Sequence, residues 1–363
     1  MPSPLIPKAL EPGATIAFVS PSARLNHELP AVIERATALF TSKGYKVRVL
    51  YTVDTGVQNG IANRLRELRT AFTDPTISAV FCTIGGPSFT ELLPALLADT
   101  ALHAAIRAHP KIVVGYSDIT GLHWFLHAVA GLRTFYGPGA IPELGAPADP
   151  SIEDADSPVT FCARNLLRAI TDSTTPIGAL ERSRLFAPTT PPCLRPAHQD
   201  EPGALAPTPG WVWIRQGQGQ GRLFGGCLTV MARLGGVRGI APDWRGRVVF
   251  VETAIGDDGV GGNPLGRVRA GLADLIAQGV FEDVAGLVVG RPFGYHEPEM
   301  RERYVGVIRD LFCDGPLGEK DTFPILFNVD FGHTSPMVTL PYDTLVSLDS
   351  EKDEFAILES AVV

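Results

Sequence analysis

Residues 111–120 read KIVVGYSDIT, an apolar strand that runs into a glycine, a serine and an acid opening a helix. Ile112, Val113 and Val114 are β-branched, which favours extended backbone and packing inside a sheet. Gly115 ends the strand. Asp118 suits the first helical turn, where free N–H groups and the positive end of the dipole favour an anion. Ser117 therefore stands on a sharp strand-to-helix turn, its hydroxyl raised above the sheet like the nucleophile of an elbow motif. A serine near a helix start most often only caps it, and Ile119 replaces the second glycine of G-x-S-x-G. The functional reading of Ser117 thus depends on partners elsewhere in the chain.

Outward from this turn, the first 140 residues alternate strand and helix. Strands are predicted at Thr15 to Ser20, Tyr45 to Tyr51 and Ile77 to Thr83, the last running into Gly85-Gly86. Helices are predicted over 28–42, 60–73, Phe89 to Leu97 and Asp118 to Ala130. Such repeats predict an α/β fold with a parallel sheet covered on both faces and ligands beyond the carboxyl ends of its strands. Pro, Gly, Ala and Asp then dominate residues 139–155, and a helix is expected from Ser157 to Thr171. Seven prolines between Pro188 and Pro209 leave little periodicity, as in a lid or a disordered loop.

Beyond Trp211, helices at Leu228 to Leu234, 265–279 and 297–312 accompany strands at Arg247 to Glu252, Gly286 to Gly290 and Ile325 to Val329. Further short strands are expected at Met337 to Leu340, Leu345 to Leu348 and Phe355 to Leu358. Crowded strands with few helices suggest a smaller, mixed α+β or barrel-like second domain. The division is 1–150 for the domain with the elbow, 151–210 for a linker, helix and loop, and 211–363 for the second domain.

At 363 residues, 45% of them hydrophobic, the chain can form two self-sufficient cores. It has no apolar run of the roughly 20 residues a membrane helix needs, and its opening lacks a signal-like apolar core, so a cytoplasmic protein is expected. A net charge of −8 without a basic block argues against nucleic acid. Five widely spaced cysteines suggest neither disulfides nor a zinc ribbon. His123 and His127 share a helical spacing, but Trp124 stands where a zinc-protease helix has Glu, so no metal is expected.

Two residues complete a chemistry with Ser117. Glu252 closes the apolar strand RVVFVE, so its carboxylate lies at the mouth of a buried strand and needs partners to stay ionised. His333, in NVDFGHTSP, follows Gly332 and precedes Pro336 on a turn. A serine hydroxyl must lose its proton to attack a carbonyl, and neutral histidine is the usual acceptor near pH 7. An acid holds that imidazole in the productive tautomer. Ser117, Glu252 and His333 supply the three roles, and the Asp118 and Gly86 N–H groups are the candidate oxyanion donors.

Several ordered motifs together, FVSPSAR, RLRELRTAFTDPTISAVFCTIGG, GYSDITGLHWFLHAVAGLRTFYGP, GRLFGGCLTVMARLGG, VFVETA and NVDFGHTSPMVTLPYD, resemble the LD-carboxypeptidase and microcin C immunity family of serine peptidases. The resemblance implies a flavodoxin-like first domain, a mixed second domain, a site at their junction built from Ser117, Glu252 and His333, no cofactor or metal, and a homodimer. TIGG is similar to the microcin immunity branch, which implies cleavage of an amide beside a free carboxylate in a small peptide or a peptidyl or aminoacyl nucleotide. In that branch an aromatic residue stacks the base; Trp211 or Trp213 is a candidate, with ordinary packing an equal reading. Many relatives carry asparagine where this chain has Cys227. Arg291, at a strand end in VVGRPFGYH, is the candidate partner for the substrate carboxylate. A binding or acyl-transfer protein using the same pocket is the alternative. An α/β-hydrolase esterase shares the residue order but not the long insertion between elbow and histidine.

Overall fold

The computed structural model describes residues 4–314 and 322–363. Its first sheet has six strands in the order Leu340–Pro341, Phe135–Tyr136, Ile112–Gly115, Ile77–Cys82, Thr15–Val19, Lys46–Leu50. The five strands of the first half are parallel, and in chain order they lie 2-1-3-4-5, the flavodoxin-like arrangement. Ile112, Val113, Val114, Val80 and Phe18 are fully buried, as expected of strands packed under helices on both faces. The order reverses between Thr15–Val19 and Ile77–Cys82, so a crevice opens beyond Val19 and Cys82, beside the Gly85-Gly86 turn.

Local predictions hold closely here, with three departures, the first being the short strand Phe135–Tyr136, which no predicted strand covers. The segment after the glycine turn is a 3-10 turn, Phe89–Leu92, followed by the short helix Leu93–Ala98. A further helix, Thr100–Ala108, was not anticipated; the Asp99 carboxylate caps it by accepting from the Leu102 N–H at 3.0 Å, and Leu102 and Ile106 are buried.

The second domain has eight strands ordered Gly178–Ala179, Glu354–Ile357, Leu345–Asp349, Gln218–Cys227, Arg247–Glu252, Gly286–Gly290, Ile325–Val329, Val212–Arg215. The ladder is open, with distinct strands at its two edges. Its central four strands are parallel, joined through the helices Leu228–Leu234, Leu265–Ala277 and Pro298–Phe312. Parallel neighbours require such crossovers, so this half is itself layered α/β at its centre, and antiparallel strands flank it.

The halves interlock. Leu340–Pro341 from the second half pairs with Phe135–Tyr136 in the first sheet, while Gly178–Ala179 extends the second. The buried Trp124 indole donates to the Gly225 carbonyl at 2.9 Å. The proline-rich segment is tied down: Leu185–Phe186 pairs with Ala206–Pro207, Gln199 accepts from the Ala31 N–H at 3.0 Å, and Arg35 bonds Asp200. Among the described residues, no single helix is long and apolar enough to cross a membrane.

Candidate active site

Ser117 has a φ of 63°, in the left-handed region that a non-glycine residue rarely occupies. This strained turn sits between Ile112–Gly115 and the 3-10 turn Ser117–Ile119, which leads into the helix Thr120–Ala130. Three groups hold it. The Thr120 hydroxyl donates to the Ser117 carbonyl at 2.7 Å and receives the Cys227 N–H at 3.0 Å. The Ser117 N–H donates to the Tyr136 hydroxyl at 3.0 Å. Asp118, 1% exposed, accepts from the Ser22 hydroxyl at 2.6 Å and the Phe89 N–H at 2.8 Å and pairs with Arg233. Its carboxylate therefore pins three neighbouring segments around the serine. Gly85 lies so close that a Cβ there would sit 2.6 Å from the Ser117 Cβ and 2.8 Å from its Oγ.

Glu252 and His333 meet as an ion-paired couple. The His333 Nδ1 lies 2.7 Å from Glu252 Oε2, and the His333 N–H donates to the same oxygen at 3.2 Å. Because the carboxylate is the acceptor, the proton belongs on Nδ1 and Nε2 is left to accept another. Gly332, at φ 91°, permits this approach, since a Cβ there would fall 2.6 Å from the Glu252 Cβ. Burial alone would raise the Glu252 pKa; the His333 charge and hydrogen bonds from His333, Tyr136 and Cys227 outweigh it and hold the carboxyl below its usual value. Burial would lower His333, but Glu252 overrides it and the imidazole pKa is raised.

Tyr136 links the two halves of the site. Its hydroxyl accepts from the Ser117 N–H and donates to Glu252 Oε1 at 2.6 Å. Sequence reasoning missed this role, although TFYGP stood inside a quoted motif; nothing in a tyrosine at a strand end reveals a partner 116 residues away. Cys227 offers Glu252 a further donor, and burial pushes its thiol pKa well up, so it stays protonated.

Ser117 and His333 line one cavity of about 250 Å³ beyond the switch point of the first sheet, with Gly85, Gly86 and Tyr116. Thr189, Pro191 and Leu194 of the proline-rich segment cover it, and Ile255 and Phe293 close the far side. The Tyr116 ring stands edge-on to the His333 ring, centroids 5.2 Å apart. A second acid also lines the cavity. Glu143, 5% exposed, accepts from the Tyr116 hydroxyl at 2.7 Å and the Gly139 N–H at 3.0 Å, and burial raises its pKa to about 7. Sequence reading had assigned its stretch to a linker.

Three expected binding residues lie elsewhere. Arg291 is buried behind the histidine turn, where it pairs with Asp330, donates to the Thr334 hydroxyl at 3.0 Å and covers the Phe186 ring. A guanidinium so neutralised is not an open clamp for a carboxylate. The Trp211 indole donates to Asp330 at 2.7 Å with Arg182 over its ring. Trp213 donates to Asp353 at 2.8 Å. Neither ring lines the cavity. Trp213 lies on the antiparallel edge strand of the second sheet and Trp211 just before it, away from the position the resemblance implied for a base-stacking ring.

His123 is a core residue and His127 is half-buried one turn farther along the same helix. Nδ1 of His123 meets the Thr134 hydroxyl and Nε2 the Gly115 carbonyl, both at 2.9 Å, and burial lowers both histidines to a pKa of about 4. Among the described residues, no His, Cys, Asp and Glu side chains gather as a metal-binding group.

Fold and site together define a two-domain α/β protein with a serine, a histidine and a carboxylate converging at the domain junction. The chain belongs to the LD-carboxypeptidase family: residues 16–137 match the LD-carboxypeptidase N-terminal domain and residues 220–348 the C-terminal domain. It is 26% identical to the microcin C7 self-immunity protein MccF of Escherichia coli over 365 residues, covering 98% of this chain and 96% of that one. It is 25% identical to a probable murein peptide carboxypeptidase of Bacillus subtilis over 366 residues, covering 98% and 95%. The MccF structure without ligand superposes with a TM-score of 0.83 at 25% identity over 99% of this chain and all of that one. MccF bound to aspartyl sulfamoyl adenosine superposes with a TM-score of 0.82, also at 25% identity, over the same shares.

Proposed function

We propose that this protein is a serine hydrolase that cleaves an amide in a small peptide or a peptidyl or aminoacyl nucleotide, with Ser117 as nucleophile, His333 as base and Glu252 as the acid that orients it. The observation that carries this reading is that the strained Ser117 and the Glu252-bound His333 face the same cavity. In the first step the Ser117 Oγ bonds to the substrate carbonyl carbon while its proton passes to His333 Nε2. That proton then leaves with the amine as the C–N bond breaks, and water repeats the sequence on the acyl-serine. The Gly86 and Asp118 N–H groups receive the oxyanion, a role worth about 3 kcal/mol per donor. A relative that binds aspartyl sulfamoyl adenosine supports the nucleotide-linked substrate class.

A fluorophosphonate probe tests the assignment. Labelling confined to Ser117, and lost in Ser117→Ala and His333→Ala, is the expected result. An unlabelled serine in a folded protein would instead favour sequestration. The family resemblance also extends the proposal to a homodimer, and light scattering at the mass of one chain would remove that part.

A further inference from the structure

Resting on the hydrolase reading, we propose that the cavity selects an acyl residue bearing an ammonium group, with Glu143 as its counter-ion, over one bearing a free carboxylate. The argument begins with charge. Among the described residues lining the cavity at Ser117, the only fixed acid is Glu143 and there is no lysine or arginine. The cation expected nearby, Arg291, is already paired with Asp330. A substrate carboxylate would find no cation but His333, which Glu252 already holds, and would also meet Glu143, a combination of desolvation and like-charge repulsion that disfavours binding.

The position of Glu143 is fixed rather than incidental. Its two oxygens are oriented by the Tyr116 hydroxyl and the Gly139 N–H, and Tyr116 is the residue before the nucleophile. A carboxylate held by two donors keeps lone pairs for a third, so an ammonium group can complete its shell. Buried as it is, the acid lacks a cationic partner of its own apart from His333 across the Tyr116 ring. An incoming ammonium supplies that partner and favours its ionised form.

The space beyond has the same sign. A second cavity of about 280 Å³ shares Ala187, Pro191 and Ser335 with the first, so the two lie side by side along the proline-rich segment. Its charged lining residues are Asp149 and Asp154, again without lysine or arginine. Both cavities thus favour apolar and cationic groups over anionic ones.

The ammonium can be the α-amine of the acyl residue or a side-chain amine, and the test separates them. Calorimetry on Ser117→Ala would compare leucyl, N-acetyl-leucyl, N-acetyl-lysyl and N-acetyl-glutamyl sulfamoyl adenosine. We expect N-acetyl-leucyl to bind at least tenfold more weakly than leucyl (α-amine) or than N-acetyl-lysyl (side-chain amine), and N-acetyl-glutamyl to bind weakest. Adding Glu143→Gln should shrink the ammonium preference to under threefold. Equal binding of all four compounds, tightest binding of N-acetyl-glutamyl, no binding by either ammonium-bearing compound, or a preference unchanged by Glu143→Gln would overturn the proposal. The ligand ranking with Glu143 intact decides the matter even where the Gln variant folds poorly. Fluorophosphonate labelling of Ser117 is independent of this series, so failure of the specificity and failure of the hydrolase reading are distinguishable.

Discussion

Ser117 and His333 reach one cavity from turns of different construction. The Ser117 turn follows a buried parallel strand directly, and its position is dictated by the strand ending at Gly115 and the helix beginning at Thr120 after a 3-10 turn. The His333 turn also follows a buried parallel strand, Ile325–Val329, but its reacting ring is held by partners farther away along the chain. Its imidazole and its backbone N–H both hang on Glu252, 81 residues earlier, and the strand Leu340–Pro341 that follows it is built into the other domain's sheet. The nucleophile is thus set by local backbone geometry, while the base is set by long-range hydrogen bonds. Damage to the first should move chemistry directly, and damage to the second should move tautomer, pH dependence and domain coupling.

The largest effect belongs to the nucleophile itself. Ser117→Ala should reduce kcat by about 10⁵-fold or more with substrate binding retained, read by single-turnover kinetics. On the other side, Glu252→Gln should lower kcat by about 10⁴-fold, because the amide no longer fixes the proton on Nδ1. In the parent protein kcat/KM should rise with pH through a value above the ordinary histidine pKa, since His333 must lose its proton and Glu252 raises its pKa. Stability follows the same couple with a defined sign. The raised His333 contributes most below its unfolded pKa and loses that contribution as pH climbs through the folded value. The lowered Glu252 contributes above its unfolded pKa and loses it as pH falls through the folded one. Urea denaturation across pH should therefore show a maximum between the two, and the Glu252→Gln variant should flatten it.

Gly85→Ala probes the local turn while leaving Ser117, His333 and Glu252 themselves unchanged. The added methyl must displace the Ser117 side chain, and a shift of that kind costs about 10²-fold in kcat. Tyr136→Phe probes the bond between the two turns: it leaves the Ser117 N–H and one Glu252 oxygen without a partner, a loss of about 1–3 kcal/mol by thermal denaturation. At the small end, Trp213→Phe removes only an exposed hydrogen bond to Asp353 and should change stability by no more than about 0.5 kcal/mol and leave turnover as it was. A strong loss of activity there would return Trp213 to the substrate and break the contrast drawn between the edge of the second sheet and the cavity.

What could be read from residue order was whatever has a short period or a local turn. Alternating apolar strands and capped helices announced the parallel sheet, KIVVGYSDIT placed the serine on its turn, and RVVFVE placed an acid at a strand end. The helix Thr100–Ala108 escaped because it offers only two buried apolar positions in nine residues. Glu143 escaped because it lies in a stretch rich in Pro, Gly and Ala, where no periodicity marks burial. Arg291 follows a strand end, Trp213 lies within the edge strand Val212–Arg215 and Trp211 just before it, and none of these positions says which acid the side chain will meet.

The sequence by itself determined the layered α/β architecture, the order of the serine, acid and histidine, and the family, since strand pattern and motif order are properties of neighbours along the chain. Only the tertiary structure decided that Tyr136 joins Ser117 to Glu252, that Asp330 takes up the charge of Arg291, and that the cavity wall, among the described residues, carries Glu143 and no lysine or arginine. Those are pairings between residues from about 20 to more than 100 positions apart, and charge and hydrogen-bond partners are exchanged across space, where chain order carries no distance information.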